Sequence, residues 1–133
     1  MINSSWMKID NILLDQLTAQ AKESPRLRMN LDLRNSDADT SQRMLNAIEP
    51  ESVVPVRRHQ TTSETMVVLR GRVVEEYYSS EGELVETYEL MAAQALNIPA
   101  GQWHTLRSLE SGTVIIEMKD GPYEPLRDED VLR

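Results

Sequence analysis

The sequence predicts an all-β fold, a sandwich or barrel of strands preceded by one N-terminal helix. Two observations carry this prediction: a single amphipathic stretch near the N-terminus, and a later series of short β-rich runs separated by turn residues. A length of 133 residues fits one domain with its own hydrophobic core. We expect residues 1–25 to form a strand and a helix that pack on the barrel, and residues 26–133 to form the barrel and a C-terminal tail.

The N-terminal element begins with a predicted short strand from Trp6 to Ile9. Asp10 is a suitable N-cap for a helix. Apolar residues then recur at helical spacing, namely Leu13, Leu17 and Ala21. The helix is expected to end at Ser24-Pro25, because the residue before a proline avoids helical geometry. Residues 26–39 are rich in Asn, Asp and Ser, and we expect them to be irregular.

The rest of the chain contains runs of residues that favour strands. These are 42–48, 53–58, 65–70, 73–79, 84–90, 95–98, 104–108 and 113–119. Turn signals such as Gly71, Gly82 and Ser111-Gly112 separate them. The segment from Asp120 onward holds a glycine, two prolines and many charges, and is expected to lie on the surface.

Composition and charge exclude several classes of function. A formal net charge of -8 argues against binding to nucleic acid or to an anionic membrane. No apolar run is long enough to span a bilayer, and no secretory signal is visible at the N-terminus. The absence of cysteine removes thiolate sites and disulfides and fits a reducing compartment, so we expect a cytoplasmic location.

The chain has only two histidines, and their positions point to one site. Histidine is the commonest metal ligand and is easily poised for proton transfer near neutral pH. Alternate side chains of a strand share a face, so Arg57 should accompany His59 into the barrel, while Glu64 opens the next strand. The interior of a small barrel holds only side chains or one small ligand. We therefore expect His59, Glu64 and His104 to converge.

Two histidines and one carboxylate on a common side are typical of non-haem iron sites with open positions. Iron, Mn, Ni, Co and Zn can all be held by such a set. The same three residues, His59, Glu64 and His104, are the candidate catalytic groups. Arg57 has two functional interpretations: a clamp for a carboxylate or phosphate of the substrate, or a substitute for the metal.

At these residues the sequence resembles the cupin superfamily. Three residues match its first motif at the expected spacing, namely His59, Glu64 and Gly71, and three match the second, namely Pro99, Gly101 and His104. The resemblance implies a double-stranded β-helix, which is a jelly-roll barrel. Arg57 stands where the first histidine of the motif is expected, and an arginine cannot ligate a metal. Other motif positions also differ, and they are Glu51, Ala93 and Ser108.

Further stretches are similar to the WbuC-type cupin-fold metalloproteins, bacterial proteins often encoded among genes for cell-surface polysaccharide synthesis. They are residues 24–30, 42–50, 100–104 and 119–125. The resemblance implies a divalent metal ion, a small sugar-derived ligand in bacterial surface-polysaccharide metabolism, and a homodimer, since small cupins commonly pair. Arg57, Arg28 and Trp103 are the candidate ligand-binding side chains, with core packing as the alternative for Trp103.

Three functions remain open from the sequence. The first is a metal-dependent enzyme, such as an isomerase, epimerase or oxygenase. The second is a non-catalytic module that binds a sugar or nucleotide-sugar, with Arg57 in place of the metal. The third is metal-free acid–base catalysis by His59, Glu64 and His104.

Overall fold

The computed structural model describes residues 7–132, which form one α-helix and eight strands in two antiparallel sheets. The elements are α1 (Asn11–Glu23), β1 (Arg28–Asp32), β2 (Ser41–Ile48), β3 (Glu64–Arg70), β4 (Arg72–Tyr78), β5 (Leu84–Met91), β6 (Ala95–Ile98), β7 (Trp103–Ser108), β8 (Val114–Asp120) and a 3-10 turn (Asp128–Asp130). One sheet has the strand order β1-β2-β8-β3-β6 and the other β5-β4-β7. The predicted all-β class with one N-terminal helix is confirmed.

Helix α1 packs on the outer face of the five-stranded sheet. The side chain of Asp10 accepts a hydrogen bond from the backbone N–H of Leu13 at 3.1 Å, as expected of an N-cap. The residues of this first apolar cluster are Leu13, Leu14, Leu17, Ala21, Leu45, Ala47 and Val114. The predicted helix is therefore confirmed. The predicted strand before it is wrong for residues 7–9, which are not in a strand, and Trp6 lies outside the described residues.

A second apolar cluster lies between the two sheets. Its buried members are Ile48, Met66, Val68, Val73, Leu106 and Ile115. Along the inner face of β3 these apolar positions give way to Glu64, and along β8 they give way to Glu117 and Lys119. The barrel therefore has an apolar end that is packed and a polar end that holds ionisable groups.

Strand β1 falls in the stretch that was expected to be irregular, so that expectation is wrong. It pairs along its whole length with β2, from Arg28 opposite Ile48 to Asp32 opposite Met44. Its polar residues alternate with Met29 and Leu31, which pack against the helix cluster. Asn and Asp are depleted in strands in general, but here an alternating pattern buries one face and leaves the polar face toward the barrel interior.

Residues 53–58 were expected to form a strand, and this expectation is wrong. Pro55 has no backbone N–H to give to a ladder, and only Arg57 forms isolated bridges, to His104 and to Val131. The C-terminal segment follows this extended stretch, since the backbone N–H of Leu132 donates to the carbonyl of Val56 at 2.8 Å. The other seven predicted strands correspond to β2 through β8, with ends that differ by at most one residue.

The tight junction between β3 and β4 requires glycine at position 71. Gly71 has a φ of +86°, and a Cβ added there would lie 2.7 Å from the Cα of Thr113.

Within residues 7–132, no helix has the length and apolar content needed to cross a bilayer. The division of the chain at residues 25 and 26 stays a prediction.

Candidate metal and ligand site

Backbone hydrogen bonds join the two sequence motifs directly. The N–H of Arg57 donates to the carbonyl of His104 at 3.0 Å, and the N–H of His104 returns a bond to the carbonyl of Arg57 at 2.9 Å. The N–H of Gly101 donates to the carbonyl of His59 at 2.7 Å. Gly101 has a φ of +82°, a conformation that glycine adopts without strain. The main chain thus brings both histidines to one end of the barrel.

Both imidazoles point to one buried carboxylate. Nε2 of His59 lies 3.8 Å from Oε2 of Glu64, and Nε2 of His104 lies 3.7 Å from Oε1 of the same side chain. These distances exceed those of hydrogen bonds. Glu64 is 5% exposed and His104 is 1% exposed, so the groups meet away from bulk water. The three residues expected to converge are close together, each with a donor atom facing another.

The surroundings keep both histidines neutral. Burial lowers the pKa of His59 to about 4, and the positive charges of Lys119 and Arg57 act in the same direction. Burial likewise lowers the pKa of His104 to about 2, with Arg57 and then His59 as further causes. Neutral imidazole is the form that binds a metal or accepts a proton.

Glu64 is poised between its two protonation states near neutral pH. Burial and the nearby carboxylate of Glu117 raise its pKa to about 7, while the charges of Arg57 and Lys119 oppose that rise. A carboxyl with such a pKa can both release and take up a proton at neutral pH, which is what acid–base catalysis requires.

A further carboxyl, that of Glu75, belongs to the site. Its Oε1 lies 2.6 Å from Nδ1 of His104, and the side chain is fully buried on the inner face of β4. Burial raises the pKa of Glu75 to about 9, so the proton of the pair resides on the carboxyl or is shared with Nδ1. Successive side chains of a strand face opposite ways, so only one of Glu75 and Glu76 can face inward. The structure identifies Glu75 as that residue and as the partner that orients His104.

A cavity of about 410 Å³ opens beside His59 and Glu64, whereas His104 and Glu75 are not among the residues that line it. His59, Glu64, Arg57 and Arg28 all line it, so two of the three expected ligand-binding side chains face the cavity that holds the site. Further polar or charged side chains line the same cavity, among them Arg26, Asn46, Glu117 and Lys119. The volume lies in the range of cavities that bind small molecules.

Trp103, the third expected ligand-binding residue, is not among the residues that line this cavity. It is 9% exposed, and the guanidinium of Arg58 lies over its ring, 4.6 Å from the centroid. Its neighbour His104 points inward, and successive side chains of a strand face opposite ways. The structure therefore places Trp103 in packing, the alternative given for it above.

The donor types fit a divalent metal ion, although the side chains do not yet enclose one. As they stand, no group of three or more His, Cys, Asp or Glu side chains in residues 7–132 is arranged to hold a metal ion. Two ligands of one ion, each about 2.1 Å from it, lie at most about 4.2 Å apart. The separations from Glu64 to His59 and His104, 3.8 Å and 3.7 Å, fall within that limit. The donor types and these two separations are therefore compatible with one shared ion.

Comparison with protein families gives one match. Residues 9–90 match DUF6016, which is described as a domain of unknown function. A comparison with curated proteins gives no match.

Several solved structures share the fold. KdgF from Halomonas sp. is 14% identical, with 92% of this chain and 94% of that chain covered and a TM-score of 0.62. CapF, a capsular polysaccharide assembling protein from Staphylococcus aureus, is 17% identical, with 72% and 27% covered and a TM-score of 0.57. Oxalate decarboxylase from Bacillus subtilis, described with Mn(II) centers, is 18% identical, with 74% and 26% covered and a TM-score of 0.59.

The chain thus spans nearly all of KdgF and about a quarter of the other two proteins. These neighbours have the cupin fold, so the predicted cupin jelly roll is confirmed. At such identities the likeness concerns the fold alone.

Proposed function

Since the chain belongs to the DUF6016 family and has the cupin fold, we propose that its barrel cavity binds a small polar, sugar-derived ligand beside a divalent metal ion. His59, Glu64 and His104 are the proposed metal ligands. One observation carries the proposal: the Nε2 atoms of two neutral imidazoles approach the same buried carboxylate, at 3.8 Å and 3.7 Å, at the end of a cavity of ligand size.

The side chains around the three ligands have distinct roles in this proposal. A bound ion would act as a Lewis acid toward a carbonyl or hydroxyl of the ligand. Glu75 fixes the ring of His104 through Nδ1 and so directs Nε2 toward Glu64. With an ion bound, the proton of the pair would lie on Nδ1 and be donated to an ionised Glu75, which leaves Nε2 free to ligate. Arg57 orients an anionic group of the ligand. The donor set suits Fe, Mn, Ni, Co or Zn, and the proposal does not choose among them.

The biological setting is also part of the proposal. CapF, one of the neighbours, is named for capsular polysaccharide assembly, which supports a role in bacterial surface-polysaccharide metabolism. The likeness to WbuC-type proteins, which rests on the sequence stretches given above, supports the same setting. A cytoplasmic location and a homodimer stay predictions.

The proposal is tested by elemental analysis of the protein purified without chelator and without a nickel affinity column. His59→Ala and His104→Ala are analysed in parallel, with Gln60→Ala as a matched control on the same segment. We expect near-stoichiometric metal in the parent and in the control, and loss of metal in both histidine variants. A parent that binds none of Fe, Mn, Ni, Co and Zn at micromolar concentration would contradict the proposal.

A second candidate is a metal-free site, either a binding module or an acid–base catalyst. It is favoured by the positive charge of Arg57, which lowers the pKa of both histidines and therefore lies near them. A like charge beside the ligands opposes cation binding. Ligand binding or turnover that survives exhaustive chelation would support this candidate, and loss on chelation would exclude it.

A further inference from the structure

Most arginines of this acidic chain are neutralised by carboxylates, and the exceptions lie in one place. Among the ten arginines that the structure describes, seven have a carboxylate within 4.0 Å, namely Arg34, Arg43, Arg58, Arg70, Arg72, Arg107 and Arg127. The three without one are Arg26, Arg28 and Arg57, and all three line the cavity of about 410 Å³. We refer to these three residues as the arginine cluster.

Two members of the arginine cluster are held in position by neutral groups rather than by anions. Nη1 of Arg28 donates to the carbonyl of Val53 at 2.8 Å, and Nη1 of Arg57 donates to the carbonyl of His104 at 3.3 Å. Each guanidinium therefore keeps most of its five N–H donors available. Partial burial, followed by the charges of Arg26 and Arg57, lowers the pKa of Arg28, as expected for cations that are close together without a counter-ion.

Three carboxylates line the cavity, those of Glu64, Glu117 and Glu124, and none of them forms an ion pair within 4.0 Å with the arginine cluster among the described residues. Glu64 is bordered by the two histidines, and Glu117 accepts a hydrogen bond from Nδ2 of Asn46 at 3.0 Å. Lys119 adds a further cation on β8. Three unpaired arginines in one cavity repel one another, which lowers the free energy of unfolding. In a chain of net charge -8, the needs of folding therefore do not explain this arrangement.

A second observation concerns Asn46, which lines the same cavity. Its Oδ1 is buried and has no hydrogen-bond partner. A buried acceptor without a partner is costly unless a donor from a ligand or a solvent molecule reaches it. A hydroxyl group can supply that donor. The cavity therefore presents guanidinium donors from the arginine cluster and an unpaired acceptor from Asn46.

We propose that the arginine cluster binds the anionic group, a carboxylate or phosphate, of a hydroxylated ligand whose hydroxyl end reaches Asn46 and His59. Guanidinium groups match the planar, two-oxygen geometry of such anions. The inference rests on the proposed function in one respect, namely that the ligand occupies the same cavity. It defines the substrate class as sugar acids or sugar phosphates rather than neutral sugars.

The test is isothermal titration calorimetry with three probes that share one ring: glucose, glucuronate and glucose 6-phosphate. We expect at least one of the two anions to bind at least tenfold more tightly than glucose, and added salt to weaken only the anion. The two anionic arms distinguish a carboxylate from a phosphate. Equal or weaker binding of both anions relative to glucose, including no binding of any probe, would overturn the proposal.

Substitutions in the arginine cluster test whether these residues bind the anionic group of the ligand. Arg28→Gln and the more exposed Arg26→Gln should each weaken anion binding at least tenfold, and circular dichroism checks that both are folded. Arg107→Gln is the matched control, because it removes the same charge from an outward-facing, 56% exposed side chain. An equal effect of the control would overturn the proposal. Metal content, which the histidine variants address, is measured separately, so failure of the anion site is distinguishable from failure of the metal site.

Discussion

The pair formed by Glu75 and His104 makes a pH-dependent contribution to folding that can be measured. Glu75→Gln keeps the size of the side chain and removes the titrating proton. The amide nitrogen of the glutamine can donate to Nδ1 of neutral His104, as the protonated carboxyl does at 2.6 Å. The substitution therefore separates the hydrogen bond from the charge.

The direction of the effect follows from the pKa of Glu75 in the two states. Burial raises the pKa from its ordinary 4.5 to about 9 in the folded chain. Between these values the folded chain holds a proton that the unfolded chain has released, so folding is favoured at low pH. The stabilisation is fully present below about pH 4.5 and is lost as pH rises toward 9.

The size of this pH dependence corresponds to one proton that the folded chain holds and the unfolded chain has released. Each pH unit within this window lowers the free energy of unfolding by about 1.4 kcal/mol, and Glu75→Gln lacks this loss. We expect the stability of the variant relative to the parent to increase by roughly 4 kcal/mol between pH 5 and pH 8. Urea denaturation of both metal-free proteins at each pH unit gives the difference directly.

Glu76→Gln is the matched control, because it removes a carboxylate from the opposite face of the same strand, where it lies 3.6 Å from Arg107. We expect its difference from the parent to stay constant over the same range. A Glu75→Gln difference that does not change with pH would refute the reasoning, because Glu75 would then be ionised in the folded chain.

Three further predictions concern positions where this chain departs from, or depends on, its motifs. Arg57→His should raise the affinity for Zn or Mn at least tenfold, because it adds a ligand and removes a like charge. Unchanged metal affinity, measured by competition with a chelator, would count against a metal site here. Unchanged anion binding would count against a role for Arg57 in the arginine cluster. Ala93 has a φ of +70°, so Ala93→Gly should raise the free energy of unfolding by roughly 1 kcal/mol, whereas the neighbouring control Ala92→Gly should not raise it. Gly71→Ala should lower the free energy of unfolding by at least about 2 kcal/mol, because its Cβ would meet the backbone of Thr113; a urea midpoint like that of the parent would show that the turn adjusts freely.

Much of the fold was predictable because its signals are local. Helix α1 has an N-cap, a regular apolar spacing and a proline after its end, and all three act within a few residues. Strand β1 was missed because its inward-facing residues are polar, as the cavity requires, which removes the compositional signal of a strand. The segment 53–58 was misassigned because its valines favour a strand, whereas the segment forms no continuous ladder and Val53 is exposed.

The site was only partly predictable, and Glu75 shows why. Strand β4 contains the sequence Val-Val-Glu-Glu-Tyr-Tyr, in which every residue type occurs twice in succession. The alternation is therefore the same in both possible registers, and the pattern cannot show which glutamate faces inward. Only pairing with β7, which sets Tyr77 opposite His104, decides it. The two histidines and Glu64, by contrast, were marked by their motif spacing.

The backbone bonds between the two motifs have a consequence for how this barrel diverges. The main chain of Arg57, His59, Gly101 and His104 is held together by N–H and carbonyl groups, which every residue except proline provides. Side chains at positions 57, 59 and 104 can therefore be exchanged during evolution without dismantling the frame that presents them. An arginine can replace a histidine at position 57 while its neighbours keep their places, because the backbone bonds of this frame do not depend on the side chain at that position.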